Sequence, residues 1–153
     1  MKPRTKARSV ALQALYEIDI ANHEIGTVME ALLEASPMEK RLEQFAYDIV
    51  RGVAPIREKL DSYIAVHAPE WPIDQVSIID RNLLRIAMWE FAVNGETPVK
   101  VAINEAIELA KIFGSDSTPR FVNGVLGSLA SKENELKKAL NTRSNSQEMD
   151  DET

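Results

Sequence analysis

Apolar residues recur three and four apart along nearly the whole chain, which is the period of a helix face. In residues 6–21, Ala7, Val10, Ala11, Ala14, Leu15 and Ile18 form one stripe. The opposite side carries Leu12 and Tyr16 one turn apart, bordered by Thr5, Arg8, Ser9 and Gln13. A second, shorter helix is predicted over 27–35. Ser36, Pro37 and Glu39 then have the register of a capping box with a first-turn proline, which places the start of a third helix there. Its stripe is Leu42, Phe45, Ala46, Ile49, Val50 and Val53, and Gly52 and Pro55 are expected to kink or break it. Ile56, Leu60, Tyr63 and Ile64 make a fourth helix that ends at His67-Ala68-Pro69. Trp71 and Pro72 follow in a connector expected to plug one end of the core.

From Val76 to Asn94 the pattern is apolar on nearly every side, as in a buried helix. Two charged pairs interrupt it, Asp80 with Arg81 and Arg85 with Glu90. The plain reading makes them local ion pairs; the alternative turns Asp80 toward a partner protein. Asn94-Gly95 separates this helix from the next. Pro98 opens a helix in which Ala102, Ala106 and Ala110 make a small-residue seam beside Val99, Ile103 and Ile107. Such a helix can approach two neighbours closely. Gly114 is placed to end it, and Thr118 and Pro119 read as N-cap and first position of a last helix whose apolar face is Phe121, Val122, Val125, Leu126 and Leu129. Between them lies Gly114-Ser115-Asp116-Ser117-Thr118, followed at once by Arg120 and Phe121. With no alternating stretch anywhere, the chain reads as all-α, with six or seven helices.

Charge changes this picture more than composition does. A formal net charge of −6 argues, taken alone, against nucleic acid. Its distribution argues the other way: Lys2, Arg4, Lys6 and Arg8 precede the first acidic residue, Glu17, while Glu148, Asp150, Asp151 and Glu152 crowd the far end. The chain is therefore divided into a basic arm (1–5), a helical domain (6–140) and an acidic tail (141–153) expected to be disordered. There is no cysteine, hence no disulfide or thiolate metal site. No apolar run approaches the length of a membrane span, and no secretory signal is read at the N-terminus, which favours the cytoplasm.

Catalytic parts are missing from the pattern. His23 and His67 fall in connectors without ligand-like neighbours, no Walker-type loop follows Gly114, and no nucleophile elbow occurs. Glu105 and Glu108 lie three apart, but a solvated helix face explains them better than acid–base work. No cofactor is expected and no enzyme. Recognition remains. Four cations within the first eight residues can anchor phosphates. They lead into a helix bearing Gln13 and Tyr16, suited to edge hydrogen bonds and base stacking. Tyr16 could equally pack between helical layers. Arg120 and Phe121 offer the same pairing of cation and ring late in the chain.

Three ordered segments resemble the NusB family: RSVALQALYEID near the N-terminus, IIDRNLLRIAMWE in the middle, and KVAINEAIELAKIFG followed by RFVNGVL. The resemblance runs over roughly residues 3 to 130. It implies an all-helical, RNA-binding fold of two small packed bundles. A faint internal echo agrees, since one constant offset aligns Arg8 with Arg81, Ala14 with Ala87, Tyr16 with Trp89 and Glu17 with Glu90.

By residue, the resemblance implies that Lys2, Arg4, Lys6, Arg8, Gln13 and Tyr16 face RNA, that Phe121 and the loop before it form a second RNA-facing segment, and that the two patches meet. It implies boxA, a short single-stranded RNA, as ligand, and ribosomal protein NusE as partner. Through these the chain would act indirectly on the RNA polymerase antitermination complex and ribosomal RNA transcription. Asp80 lies where the family motif contributes to the partner face, expected to be distinct from the RNA face. The spaced cations depart from the denser arginine run of some relatives, and the acidic tail has no place in the family pattern. Two other readings stand beside this one: an isolated accessory module of an RNA methyltransferase system, and a protein-interaction module without RNA specificity. Monomer and homodimer are both open.

Overall fold

In the computed structural model, residues 1–68 and 72–141 are described. The expectations for Trp71 and for the tail beyond 141 fall outside them. Every regular element among the described residues is helical, in the order α1 (Pro3–Ala21), α2 (Ile25–Ala35), α3 (Lys40–Val53), α4 (Arg57–His67), α5 (Ile78–Met88), α6 (Val99–Phe113) and α7 (Thr118–Ala130). A final helical stretch covers 133–141. The fold is all-α, with α1 to α3 in one bundle and α4 to α7 in a second, joined chiefly where α1 lies along α5.

Helix starts depart from the sequence reading, most clearly at α1 and α3. Pro3 sits in the first turn of α1, so the basic arm is that turn and not a leader before it. Helix α3 begins at Lys40, and neither Ser36 nor Glu39 makes a side-chain cap. Instead the Ser36 amide closes α2 by donating to the Leu32 carbonyl (2.9 Å), and residues 36–39 carry the reversal into α3.

Leu12 also departs: it is fully buried, while Tyr16 stays 40% exposed. Four helical residues turn only about 40°, and α1 is covered by α2, α3, α5 and α6, so its buried arc reaches Leu12 and stops short of Tyr16. Gly52 does not break α3. A Cβ there would lie 2.1 Å from the Trp89 indole nitrogen, so the missing side chain is the space Trp89 occupies. The break comes at Pro55, in the tight turn Ala54–Ile56. Helix α5 continues as a wider turn over Trp89–Asn94 that ends at Gly95, with φ +75°. The alanine seam of α6 is buried at Ala102, Ala106 and Ala110.

The bundles are pinned together by two ion-pair networks, and neither is the local pairing expected. Arg85 does not reach Glu90; five residues along a helix place them about 140° apart. Arg85 instead donates through Nε and Nη2 to Asp61 on α4 (2.7 and 2.6 Å), and through Nη1 to Asp19 on α1 (2.8 Å). Asp19 also takes hydrogen bonds from Asn82 and Arg57. Burial alone would push the Asp19 carboxyl up, yet the bonds from Asn82 and Arg57 and the charges of Arg85 and Arg57 hold it below its ordinary value. Glu90 is taken by Arg8 and by the Thr97 hydroxyl (2.9 Å).

Candidate nucleic-acid interface

The first turns of α1 set out the arm. At about 100° per residue, Lys2, Lys6, Gln13 and Tyr16 fall within an arc of about 80° on the one exposed side of that helix. Lys2 is exposed, and the Lys6 ammonium donates to the Pro37 carbonyl (3.1 Å). Gln13 is exposed and its amide donates back to the Ser9 carbonyl (3.1 Å). Arg4 leaves this arc on the α3 side, where its guanidinium lies 4.0 Å from the centroid of the Phe45 ring. The ring covers one face of an exposed cation and leaves its N–H edge in water.

Arg8 does not belong to the surface. It is 3% exposed, and its Nε and Nη2 donate to the two oxygens of Glu90 at 2.9 and 2.7 Å. A third nitrogen lies 3.5 Å from Glu105. With both carboxylates engaged, the expected phosphate contact from Arg8 is replaced by a structural one. Its spacing along the arm resembles that of the other cations, but at position 8 the helix has already turned into the α5 contact.

The second patch is a groove of about 600 Å³ at the α5–α7 corner. Val76, Ile79, Phe113 and Phe121 give it apolar walls, and Asp80 and Arg120 stand on its rim. Arg120 is exposed and Phe121 half-buried. The loop before α7 is held by Thr118, which is buried and serves as a bridge rather than as the N-cap. Its hydroxyl accepts from the Ser115 amide (3.0 Å) and donates to Asp80 Oδ1 (2.9 Å), while Ser117 takes the cap position. Gly114 is needed for this closure, because a Cβ there would lie 2.5 Å from the Thr118 side chain.

Asp80 therefore sits in the same groove as Arg120 and Phe121, not on a separate face. Nor does it pair with Arg81, whose guanidinium donates to the carbonyls of Val76 (2.8 Å) and Asp74 (3.3 Å).

The last turn of α6 borders two separate cavities. Lys111 and Ile112 line a trough of about 680 Å³ with Met1, Lys2 and Thr5, between α1 and α6. Phe113, the next residue, lines the Phe121 groove. Lys2 and Phe121 are thus reached from one helical turn. Sequence reading gave no binding role to Phe113 or to Lys111, which is exposed and 3.2 Å from Glu108. It also missed Phe45 as the platform for Arg4. A lysine two residues before a phenylalanine, just ahead of a glycine-containing polar loop, was the available signal.

Residues 5–131 match the family model for NusB. The chain belongs to the NusB family. It is 46% identical over 127 residues to the transcription antitermination protein NusB of Dehalococcoides mccartyi strain CBDB1, covering 83% of this chain and 89% of that one. The NusB of Bacillus pumilus strain SAFR-032 is 42% identical over 137 residues, covering 90% and 98%. Among solved structures, NusB of T. maritima superposes with a TM-score of 0.78 at 28% identity, over 87% of this chain and 94% of that one. A structure of antitermination factors NusB and NusE in complex with dsRNA gives 0.75 at 25% identity, over 91% and 98%.

The NusB match begins inside the arm and ends just past α7, so both the Lys2 end of the trough and the stretch after residue 131 lie outside it. No helix of the described residues is long and apolar enough to cross a membrane. The surface has cations at Lys2, Arg4 and Lys111, an exposed ring at Tyr16, and the half-buried ring of Phe121 in a mixed groove. It is equipped to hold a charged, ring-bearing polymer without forming a bond to it.

Proposed function

We propose that this chain is a transcription antitermination factor that binds boxA-type single-stranded RNA together with ribosomal protein NusE, in support of ribosomal RNA transcription. The observation that carries this reading is the turn Lys111–Phe113, which lines both the trough beside Lys2 and the groove of Phe121. Lys2, Arg4 and Lys6 contribute phosphate contacts, and Lys111 adds one midway. Tyr16 and Phe121 stack on bases, Gln13 reads an edge, and Arg120 serves backbone or base at the groove rim. Rings with a face open to solvent, exposed at Tyr16 and half-buried at Phe121, favour an unpaired strand, whose bases can be splayed onto them, over a duplex whose bases are already stacked.

Asp80 is the residue through which NusE enters. Its Oδ1 is engaged by Thr118, and no other side chain bonds to its carboxylate among the described residues. Oδ2 is left for a cation of the partner at the rim of the same groove. Binding of NusE there completes one RNA surface, so the heterodimer is expected to bind boxA RNA more tightly than this chain alone.

An anisotropy titration of boxA RNA into the chain, with and without NusE and against a scrambled strand, tests this. Tighter binding of boxA that increases with NusE is expected. Equal affinity for both strands in the presence of NusE overturns it.

A further inference from the structure

We propose that the Arg4 guanidinium is a stacking platform for an unpaired nucleobase, so that base, Arg4 and Phe45 form one three-layer stack. This role rests on the RNA reading above, and adds a base contact to the phosphate contact that the Arg4 charge supplies.

The Cζ atom of Arg4 lies 4.0 Å from the centroid of the Phe45 ring. An edge-on guanidinium would bring a nitrogen inside contact distance of the ring, so the group lies flat on it. Stacking on one side leaves the second face of the plane. Arg4 is exposed and makes no ion pair or side-chain hydrogen bond among the described residues, so that face opens to solvent.

The ring beneath is held in place. Phe45 is half-buried and packed against the core, and the Arg8 guanidinium, locked on Glu90, lies 5.1 Å from the same centroid. Part of the side-chain freedom that binding would cost Arg4 is therefore already lost in the free chain. Lys2 and Lys6 are compact charges with no plane to offer. Arg4 differs from them in kind: its open face takes a base, as guanidinium planes do in single-stranded RNA recognition, and its N–H edge remains for the adjoining phosphate. Two residues of helix put Lys2 and Arg4 about 160° apart around α1, so a strand held by both crosses the exposed start of that helix.

The test follows the anisotropy of labelled boxA RNA with the full chain, alone and with NusE. Arg4→Lys keeps the charge and loses the plane. It should bind at least about 5-fold more weakly than wild type, with the salt slope unchanged because no phosphate loses its cation. Phe45→Leu keeps the core apolar and should weaken binding in the same direction. Arg51, also exposed, supplies the control: it lies 4.5 Å from the Tyr47 ring, six residues further along α3 than Phe45, and Arg51→Lys should bind as wild type does. Abasic boxA strands, each lacking one base, locate the stacked nucleotide, because at one position the loss seen with wild type should be absent with Arg4→Lys. The stack is overturned by Arg4→Lys or a folded Phe45→Leu chain binding like wild type, by a flattened salt slope in Arg4→Lys, by an equal loss in Arg51→Lys, or by identical abasic losses in wild type and Arg4→Lys. In each of those cases wild type still prefers boxA and the RNA reading stands. Wild type that binds boxA no better than a scrambled strand, with or without NusE, overturns the RNA reading and the stack with it.

Discussion

The Arg8 guanidinium and the Glu90 carboxylate face each other in a two-pronged ion pair between α1 and α5, with side chains 4% and 1% exposed. Removing one partner leaves the other buried without its counter-charge, which in proteins costs about 3–5 kcal/mol. Arg8→Gln is therefore expected to lower the stability measured by urea denaturation by that order, whereas Lys6→Gln leaves it within about 0.5 kcal/mol. A folded Arg8→Gln chain of unchanged stability, but with a weaker salt dependence of RNA binding, would return Arg8 to the arm.

Gly52 makes a second stability prediction. The Trp89 indole occupies the volume of the missing side chain, 2.1 Å from where a Cβ would stand, and Trp89 is only 7% exposed. Gly52→Ala must displace a buried ring, at a cost of about 1–3 kcal/mol. Gly124 lies in α7 with nothing within 4 Å of its Cβ position. There Gly124→Ala gains helix propensity and is expected to raise the melting temperature. The opposite order of the two variants would mean that the close approach of α3 to Trp89 is wrong.

The helices were legible because each buries an unbroken stripe at helical spacing, as α3 and α6 do. Their ends were less so: Ser36, Pro37 and Glu39 satisfy the capping-box register, yet the same serine ends α2. The charges were least legible. Arg85 is bonded to Asp19 and Asp61, which are remote in sequence, because the partner of a buried charge is decided by which helices pack together. Asp80 was singled out as functional from its position on an apolar helix. Its neighbours Arg120 and Phe121 became visible only once α7 folded back onto α5 through Thr118. Arg4, Lys6 and Arg8 look equivalent in sequence, and only the turn of α1 separates the exposed Arg4 and half-buried Lys6 from the buried Arg8.

The Asp19 network predicts a pH dependence. Asp19 is held below its ordinary value near 3.8 in the folded chain by Asn82, Arg57 and Arg85, against the opposing effect of burial. A carboxylate depressed only in the folded state adds stability that is complete above the unfolded value and is lost as pH falls through the folded one. Wild type should exceed Asp19→Asn in stability at pH 7, with the gap closing below about pH 3.8. Denaturation midpoints of the two chains from pH 7 to pH 2 measure it. A gap that stays constant with pH would assign the loss to hydrogen bonding alone.

Partner and RNA contacts share one groove, so substitutions at Asp80 must be chosen to separate them. Asp80→Asn retains an acceptor for Thr118 and removes only the charge. It should weaken NusE binding in calorimetry while melting and the RNA affinity of the free chain change little. Unaltered NusE affinity would reduce Asp80 to the bridge it forms with Thr118.

Stacking and charge are separable on the RNA surface by their response to salt. Neutralising Lys2, Arg4 or Lys6 should weaken binding to every RNA and flatten the salt dependence by roughly one unit for each phosphate left without its cation. Arg4 should differ from its neighbours in one respect. Its guanidinium is held over Phe45, so Phe45→Leu should loosen that cation and weaken RNA binding without removing a charge. Tyr16→Ala and Phe121→Ala should each cost about 1–3 kcal/mol of RNA binding if the ring stacks on a base, with the salt slope unchanged. Tyr16→Phe keeps the ring and should keep the affinity. The 40% exposure of Tyr16 makes a folded Tyr16→Ala chain the expected outcome in a melting control. A folded Tyr16→Ala chain with undiminished RNA affinity would leave the cations as the only RNA-binding groups on α1.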